Sequence, residues 1–393
     1  VTAFARRVLA AKPSASLAVT ARAIQLKREG RDIVSLSVGE PDFPVFPHVA
    51  QAVEDALRKG YTKYTTSSGI AELREAIGDW THAEMGQRYP ASQIVCTAGA
   101  KQALYNACQA LLDEGDEAVI PNPYWVSYPD IVRLAGAKPV ELLTRAEDDW
   151  HPDPGALARA ITPRTKVVML GSPSNPTGAV WSKDAMQGMA KVLLEHPAIT
   201  ILSDDIYHRL VFGGARACNI LQVAPQLRDR TVVINGCSKA YAMTGLRLGW
   251  ACGPQEIISA MNKVQDSSTS NPSSLAQYAA VAALRGPQEG VEAMRAQFER
   301  RRDLIVDLVR GIPRVRCSRP DGAFYLFPDV SAYLGRVPDD VKLSQVLLEE
   351  HGVAVVPGSA FGQPGYVRLS FATSDAQIRA GVERMSRGLQ AVA

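Results

Sequence analysis

Between residues 94 and 234 the chain repeats one unit: a short apolar run, a turn, a helical stretch, then another apolar run. The runs are Ile94-Val95-Cys96, Ala118-Val119-Ile120, Val167-Val168-Met169-Leu170, Ile199-Thr200-Ile201-Leu202 and Thr231-Val232-Val233-Ile234. Helical stretches such as Lys101–Leu112 and Asp184–Leu194 separate most of them. A strand with one wet face alternates polar and apolar residues, and these runs do not. They therefore read as strands buried on both faces, in a mostly parallel sheet covered by helices, which is an α/β fold. Ligands of such sheets sit beyond the C-terminal ends of the strands. The residues just past each run are the first place to look for chemistry.

The flanks have a different rhythm. Ser16–Arg28 is helical in pattern and stops at Gly30; Ile33–Val38 reads as a strand, followed by the turn-rich Gly39-Glu40-Pro41-Asp42. Helices follow over His48–Lys59 and Leu73–Met85. After about residue 285 comes a long charged helix, Val291–Val309, then short strands at Phe324–Phe327, Val353–Val356 and Tyr366–Phe371 and a last helix, Ala376–Leu389. The chain of 393 residues suits two domains. The expected division is an irregular N-terminal arm (1–13), a smaller α+β domain from 14–47 and 286–393, and a large domain over 48–285.

Several function classes are disfavoured. A net charge of +3 is too mild for a nucleic-acid surface, and the densest basic run, Arg300-Arg301-Arg302, reads as a solvated helix face. No apolar stretch is long enough to span a membrane, and no secretory h-region opens the sequence. The six cysteines form no CxxC pair or zinc spacing, and four lie in apolar runs, so they read as buried thiols. A cytoplasmic, reducing location is the expectation.

The strand ends carry unusual residues. Lys239 follows the run 231–234 in Asn235-Gly236-Cys237-Ser238-Lys239, where burial would lower its pKa and make it a nucleophile toward carbonyls. Alone, such a lysine is ordinarily a surface residue. Eight residues on, after Gly245, stands Arg247, a guanidinium suited to a phosphate. The loop Ser172-Pro173-Ser174-Asn175-Pro176-Thr177-Gly178 places Asn175 past another strand, as an amide donor or as a plain Asn-Pro turn. In Ser203-Asp204-Asp205-Ile206-Tyr207 a carboxylate and a phenol share a strand end, with a structural role as the alternative. Thr97-Ala98-Gly99-Ala100-Lys101 opens a helix whose free amides suit a phosphate. Trp125, in Pro123-Tyr124-Trp125, suits stacking on a planar ring or packing in a core. An amine, an anion cradle, a buried acid, an oxygen donor and a stacking platform together match the needs of pyridoxal phosphate.

On these motifs the chain resembles the class I/II aminotransferases of the pyridoxal-phosphate fold type I superfamily. Further matches are Gly39-Glu40-Pro41-Asp42, Tyr61-Thr62-Lys63-Tyr64, Gly69-Ile70-Ala71-Glu72-Leu73-Arg74, Ser238–Gly249, Gly322-Ala323-Phe324-Tyr325 and Val367-Arg368-Leu369-Ser370. Within the superfamily it is most similar to bacterial Ib-type aspartate aminotransferases. The resemblance implies pyridoxal phosphate held covalently by Lys239 as a Schiff base. Asp204 would meet the pyridine nitrogen, Tyr207 and Asn175 the ring oxygen, Trp125 the ring face, and Arg247 with the amides of Gly99, Ala100 and Lys101 the phosphate. Tyr64 would reach the cofactor phosphate of a neighbouring subunit, implying a homodimer with shared active sites. Arg368 would take the substrate α-carboxylate, helped by Asn175 and the backbone of Gly39, and Lys101 the distal carboxylate of aspartate or glutamate.

Three departures from the family pattern stand out: Ala100 in place of a second glycine, Pro44-Val45-Phe46-Pro47 where Asp-Thr-Pro is usual, and Leu246 where many relatives carry Trp. The second falls near the family's substrate entrance and bears on side-chain preference. The implied reaction is ping-pong transamination between an L-amino acid, aspartate or glutamate, and a 2-oxo acid such as 2-oxoglutarate. The alternatives are an aminotransferase for prephenate, aromatic or other neutral amino acids, and a pyridoxal-phosphate lyase on the same fold. A regulatory binding module is disfavoured by the mild charge.

Overall fold

The computed structural model describes residues 4–11 and 15–393. Its strands are β1 (Val34–Ser35), β2 (Ile94–Thr97), β3 (Glu117–Asn122), β4 (Lys138–Leu143), β5 (Thr165–Gly171), β6 (Thr200–Asp204), β7 (Thr231–Gly236), β8 (Gly249–Cys252), β9 (Tyr325–Leu326), β10 (Val353–Ala354), β11 (Val356–Pro357) and β12 (Val367–Ser370). Seven form one sheet in the order β2-β8-β7-β6-β5-β3-β4. Within it β8 runs antiparallel to both its neighbours and the remaining pairs are parallel.

Burial on both faces is visible residue by residue. Val168 and Leu170 of β5, Ile201 of β6 and Val233 of β7 enter one core; Val167 and Met169, Leu202, and Val232 with Ile234 enter the core on the other side. This is the period of two expected of a pleated strand, and each such fully buried side chain contributes roughly 2 kcal/mol. The helix Lys183–Leu194 covers the first face through Met186, Met189, Ala190 and Leu193, and Ser182 caps its N-terminus by accepting from Ala185 N. The helix Ala100–Leu111 covers the second face through Ala103, Leu104 and Ala107.

A separate core lies around two small sheets, β11-β12-β9 (antiparallel) and β1-β10 (parallel). The helix Glu289–Arg310 presents Met294, Phe298, Ile305 and Val309 to it, and Asp375–Ala391 adds Ile378, Val382, Met385 and Leu389.

Several details differ from expectation. The edge strand β4, largely outside the core, and the apolar but only four-residue β8 are strands that the sequence reading did not include. The strand expected over Ile33–Val38 shrinks to Val34–Ser35, because the chain changes partners there: Leu36 N bonds Ala354 O while Leu36 O accepts from Ser370 N. The run at Val353–Val356 divides between β10 and β11 for the same reason. In the expected arm, Arg6–Ala10 is a short helix with no buried residue, while residues 1–3 and 12–13 lie outside the described residues. The basic run is not a solvated face. Arg302 is fully buried, pairing with Asp303 and Glu299 and donating to Pro320 O, and Arg301 is buried against Asp42 in a two-bond ion pair. The carboxylate that satisfies Arg301 comes from a distant part of the chain, whereas Arg302 is paired by Glu299 and Asp303 of its own helix and buried by the packing of that helix, neither of which helical periodicity revealed. Four cysteines are buried and all six are free.

Candidate active site

The C-terminal ends of β3, β5, β6 and β7 open into one cavity of about 410 Å³, closed from the other side by Gly39, Glu40, Tyr325 and Arg368. Lys239, Asp204, Tyr207, Asn175, Trp125, Arg247, Ala100, Lys101, Gly39 and Arg368 all line it. Tyr64 does not; it stands 91% exposed on the surface.

Lys239 donates from Nζ to the carbonyl of Gly39 at 2.5 Å. Burial pushes its pKa down to about 8, with Arg368 adding to the fall and Glu40 opposing it. Asp204 is buried at the end of β6. Burial raises its pKa to about 6, against stabilisation of the carboxylate by the Tyr128 hydroxyl, which donates to Oδ2 at 2.7 Å, and by Ile206 N. Asp205 is also buried, held by Ser203 and Asn219. The hydroxyls of Tyr207 and Tyr325 share a hydrogen bond of 2.8 Å.

At the phosphate-type turn, Gly99 caps the helix Ala100–Leu111 with φ 84°. A Cβ there would lie 2.5 Å from Arg247 Nη2, so glycine lets the guanidinium come against the turn. Arg247 donates to Ala98 O and Thr244 O, with its own φ at 56°. Anion-seeking donors thus converge from a helix N-terminus and an arginine.

Arg368 is buried, donating to Asn175 Oδ1 at 3.0 Å and Ser37 O at 2.7 Å. Its Nε has no partner among the described residues. A buried guanidinium with a spare donor beside a cavity is chemically suited to a carboxylate. Asn175 spends its oxygen on Arg368, which leaves its Nδ2 as a donor. Lys101 sets its Nζ 4.8 Å over the Trp125 ring, and its pKa is lowered by desolvation and then by Arg247. Pro44–Pro47 do not line the cavity. Val45 and Phe46 instead pack on the cores, with Phe46 stacked near His48.

Reasoning from sequence passed over Tyr128 and gave Tyr325 no role. Tyr325 lay in a quoted motif, but its partner Tyr207 is far away in sequence. Ser16 and Leu17, at the start of the helix Ala15–Arg28, also reach the cavity.

A model of aminotransferase classes I and II matches residues 31–385. The chain belongs to this family. It is 46% identical to an aspartate aminotransferase of Geobacillus stearothermophilus, across 98% of this chain and 99% of that one. It is 46% identical to an aspartate/prephenate aminotransferase of Cereibacter sphaeroides, across 95% of each. The structure of a Thermus thermophilus aspartate aminotransferase with maleate superposes with a TM-score of 0.94 at 43% identity, covering 99% of this chain and all of that one. This aminotransferase therefore has the family's α/β fold. The family implies pyridoxal phosphate, and the cavity suits it in size and in donors: an amine of depressed pKa, a buried carboxylate, an anion cradle that a Cβ at Gly99 would obstruct, and a spare guanidinium N–H for a substrate anion.

Proposed function

We propose that this aminotransferase moves the amino group of aspartate or glutamate to a 2-oxo acid such as 2-oxoglutarate, with pyridoxal phosphate attached at Lys239. The observation that carries the reading is a single cavity that joins Lys239 to Arg368 and Lys101. Two cationic groups beside one nucleophile suit a substrate with two carboxylates. The names of the relatives agree with this reading.

When bound, pyridoxal phosphate supplies an aldehyde that takes up amino groups and a protonated ring that draws electrons from the substrate Cα. Arg247 and the amides of Gly99, Ala100 and Lys101 would hold its phosphate. Asp204 would hold a proton at the ring nitrogen, Tyr207 and Asn175 would donate to the ring oxygen, and Trp125 would cover one face. Arg368 would bind the substrate α-carboxylate and Lys101 the distal one, which fixes the Cα–H direction. Lys239 Nζ, released by the incoming amine, would take the Cα proton as general base. The Gly39 carbonyl, already its acceptor, would steady the ammonium so formed.

Tyr64 would serve the cofactor of a second copy in a homodimer with shared sites, a reading with which its 91% exposure is consistent. The division at 14–47 and 286–393 against 48–285 is the proposed domain boundary, with the cavity between. Free cysteines suit the cytoplasm. A second reading, in which prephenate is also an acceptor, is favoured by the Cereibacter relative's name.

Borohydride reduction of the loaded enzyme followed by peptide mass spectrometry tests the attachment. The expected result is a pyridoxyl phosphate adduct on Lys239 alone, absent in Lys239→Ala. An adduct on another lysine would overturn it. Turnover that needs no 2-oxo acid would favour the lyase alternative.

A further inference from the structure

We infer that Tyr128 is a positioning residue that keeps Asp204 an anion, so that the shared proton stays on the cofactor's ring nitrogen. The inference rests on the cofactor reading above and adds a residue that this reading does not use.

Four observations converge on Tyr128. It is the first residue of the helix Tyr128–Leu134, just past β3, and is 8% exposed. Its hydroxyl donates to Asp204 Oδ2 at 2.7 Å across the cavity floor. Its ring meets Trp125 edge to face, with centroids 5.5 Å apart and planes at 86°. At the end of β5, a Cβ on Gly171 would come within 3.1 Å of the same hydroxyl, so glycine leaves that hydroxyl its room. One side chain thus braces both the proposed stacking platform and the proposed ring-nitrogen acid.

The chemistry follows from the direction of the hydrogen bond. A phenol O–H stabilises an acceptor carboxylate more than a carboxylic acid, so it keeps Asp204 a weaker base. Burial acts the opposite way, raising Asp204 and holding Tyr128 un-ionised. Without the hydroxyl, burial wins more of the contest and Asp204 becomes more basic. It would then draw the proton from the ring nitrogen onto its own oxygen. The ring would lose positive charge and with it the capacity to take up electrons. A hydrogen bond to a charged acceptor corresponds to roughly a tenfold to hundredfold change in an equilibrium constant.

The test is Tyr128→Phe, which keeps the ring against Trp125 and removes only the hydroxyl. Apoenzyme is loaded with pyridoxal phosphate carrying 15N at the ring nitrogen, and the nitrogen chemical shift is followed against pH. Cofactor affinity is measured separately by fluorescence titration of the apoenzyme. Wild type is expected to show a protonated ring nitrogen through neutral pH. Tyr128→Phe is expected to move the shift toward neutral pyridine and to weaken cofactor binding about tenfold. Gly171→Ala, which crowds the hydroxyl without deleting it, is expected to move the shift in the same direction by less. It carries the test alone if Tyr128→Phe does not fold. A protonated ring nitrogen in both variants, equal to wild type, overturns the inference. Failure of wild type to bind the cofactor would instead overturn the reading beneath it, so the two failures are told apart.

Discussion

Lys239 provides the most quantitative prediction. Its pKa falls from 10.5 to about 8, first because the amine is buried and second because Arg368 stands nearby. At pH 7 a pKa of 8 leaves roughly one amine in ten neutral, against about one in three thousand for an ordinary lysine. That is a gain of about three hundredfold in nucleophile without any change of carbon skeleton. The perturbation is pH itself. Apoenzyme is labelled competitively with trace acetic anhydride at a series of pH values, with N-acetyl-lysine as internal standard, and the peptide bearing Lys239 is quantified by mass spectrometry. Reactivity should rise tenfold per pH unit below about 8 and then level off. Arg368→Gln removes the second contributor and should move the midpoint upward. A labelling curve for Lys239 that still climbs between pH 9 and 10 would refute the argument that burial and Arg368 activate this amine.

Other outcomes follow from the same geometry. Lys101→Ala should lower kcat/KM for aspartate and glutamate by about thirtyfold, the worth of one charge-assisted contact, and leave alanine nearly unchanged; equal losses on all three would refute the distal-carboxylate role. Gly99→Ala places a Cβ 2.5 Å from Arg247 Nη2 at a left-handed φ, so pyridoxal phosphate should bind at least tenfold more weakly, as read by equilibrium dialysis. Asp42→Ala strips buried Arg301 of a two-bond partner and should cost about 2 kcal/mol, seen as a Tm about 2–3 °C lower in a calorimetric scan; an unchanged Tm would show that Asp375, 3.7 Å from Arg301 Nε, takes over.

The sheet was legible because its strands are apolar on both faces, a pattern that survives without knowledge of neighbours. β4 was not, since an edge strand with Lys138, Pro139 and Glu141 carries little of that pattern. β1 and β10 were overread because each run of apolar residues is divided between two sheets. In the site, Lys239, Asp204, Asn175 and Arg247 were visible as odd residues at or past strand ends, while Arg368, inside β12, was marked only by the family resemblance. Tyr128 and Tyr325 were hidden, because what marks them is a partner 76 or 118 residues away. Pro44–Pro47 drew attention as a departure from the family pattern, yet Val45 and Phe46 pack against the cores while Pro44 and Pro47 are exposed. Arg301 looked like surface charge because its partner Asp42 is 259 residues away, and Arg302 because its burial comes from packing that its neighbours Glu299 and Asp303 do not reveal.

The most direct measurement is the amino-donor half-reaction, followed by absorbance on enzyme loaded with pyridoxal phosphate and given no 2-oxo acid. Aspartate, glutamate, alanine, phenylalanine and lysine are added in turn. The account predicts rapid loss of the lysine-bound cofactor band with aspartate and glutamate, one equivalent of 2-oxo acid released per site, and far slower change with the other three. Conversion by phenylalanine or alanine but not by aspartate or glutamate would contradict the pairing of Arg368 with Lys101, and no conversion by any of the five would contradict the transamination reading itself.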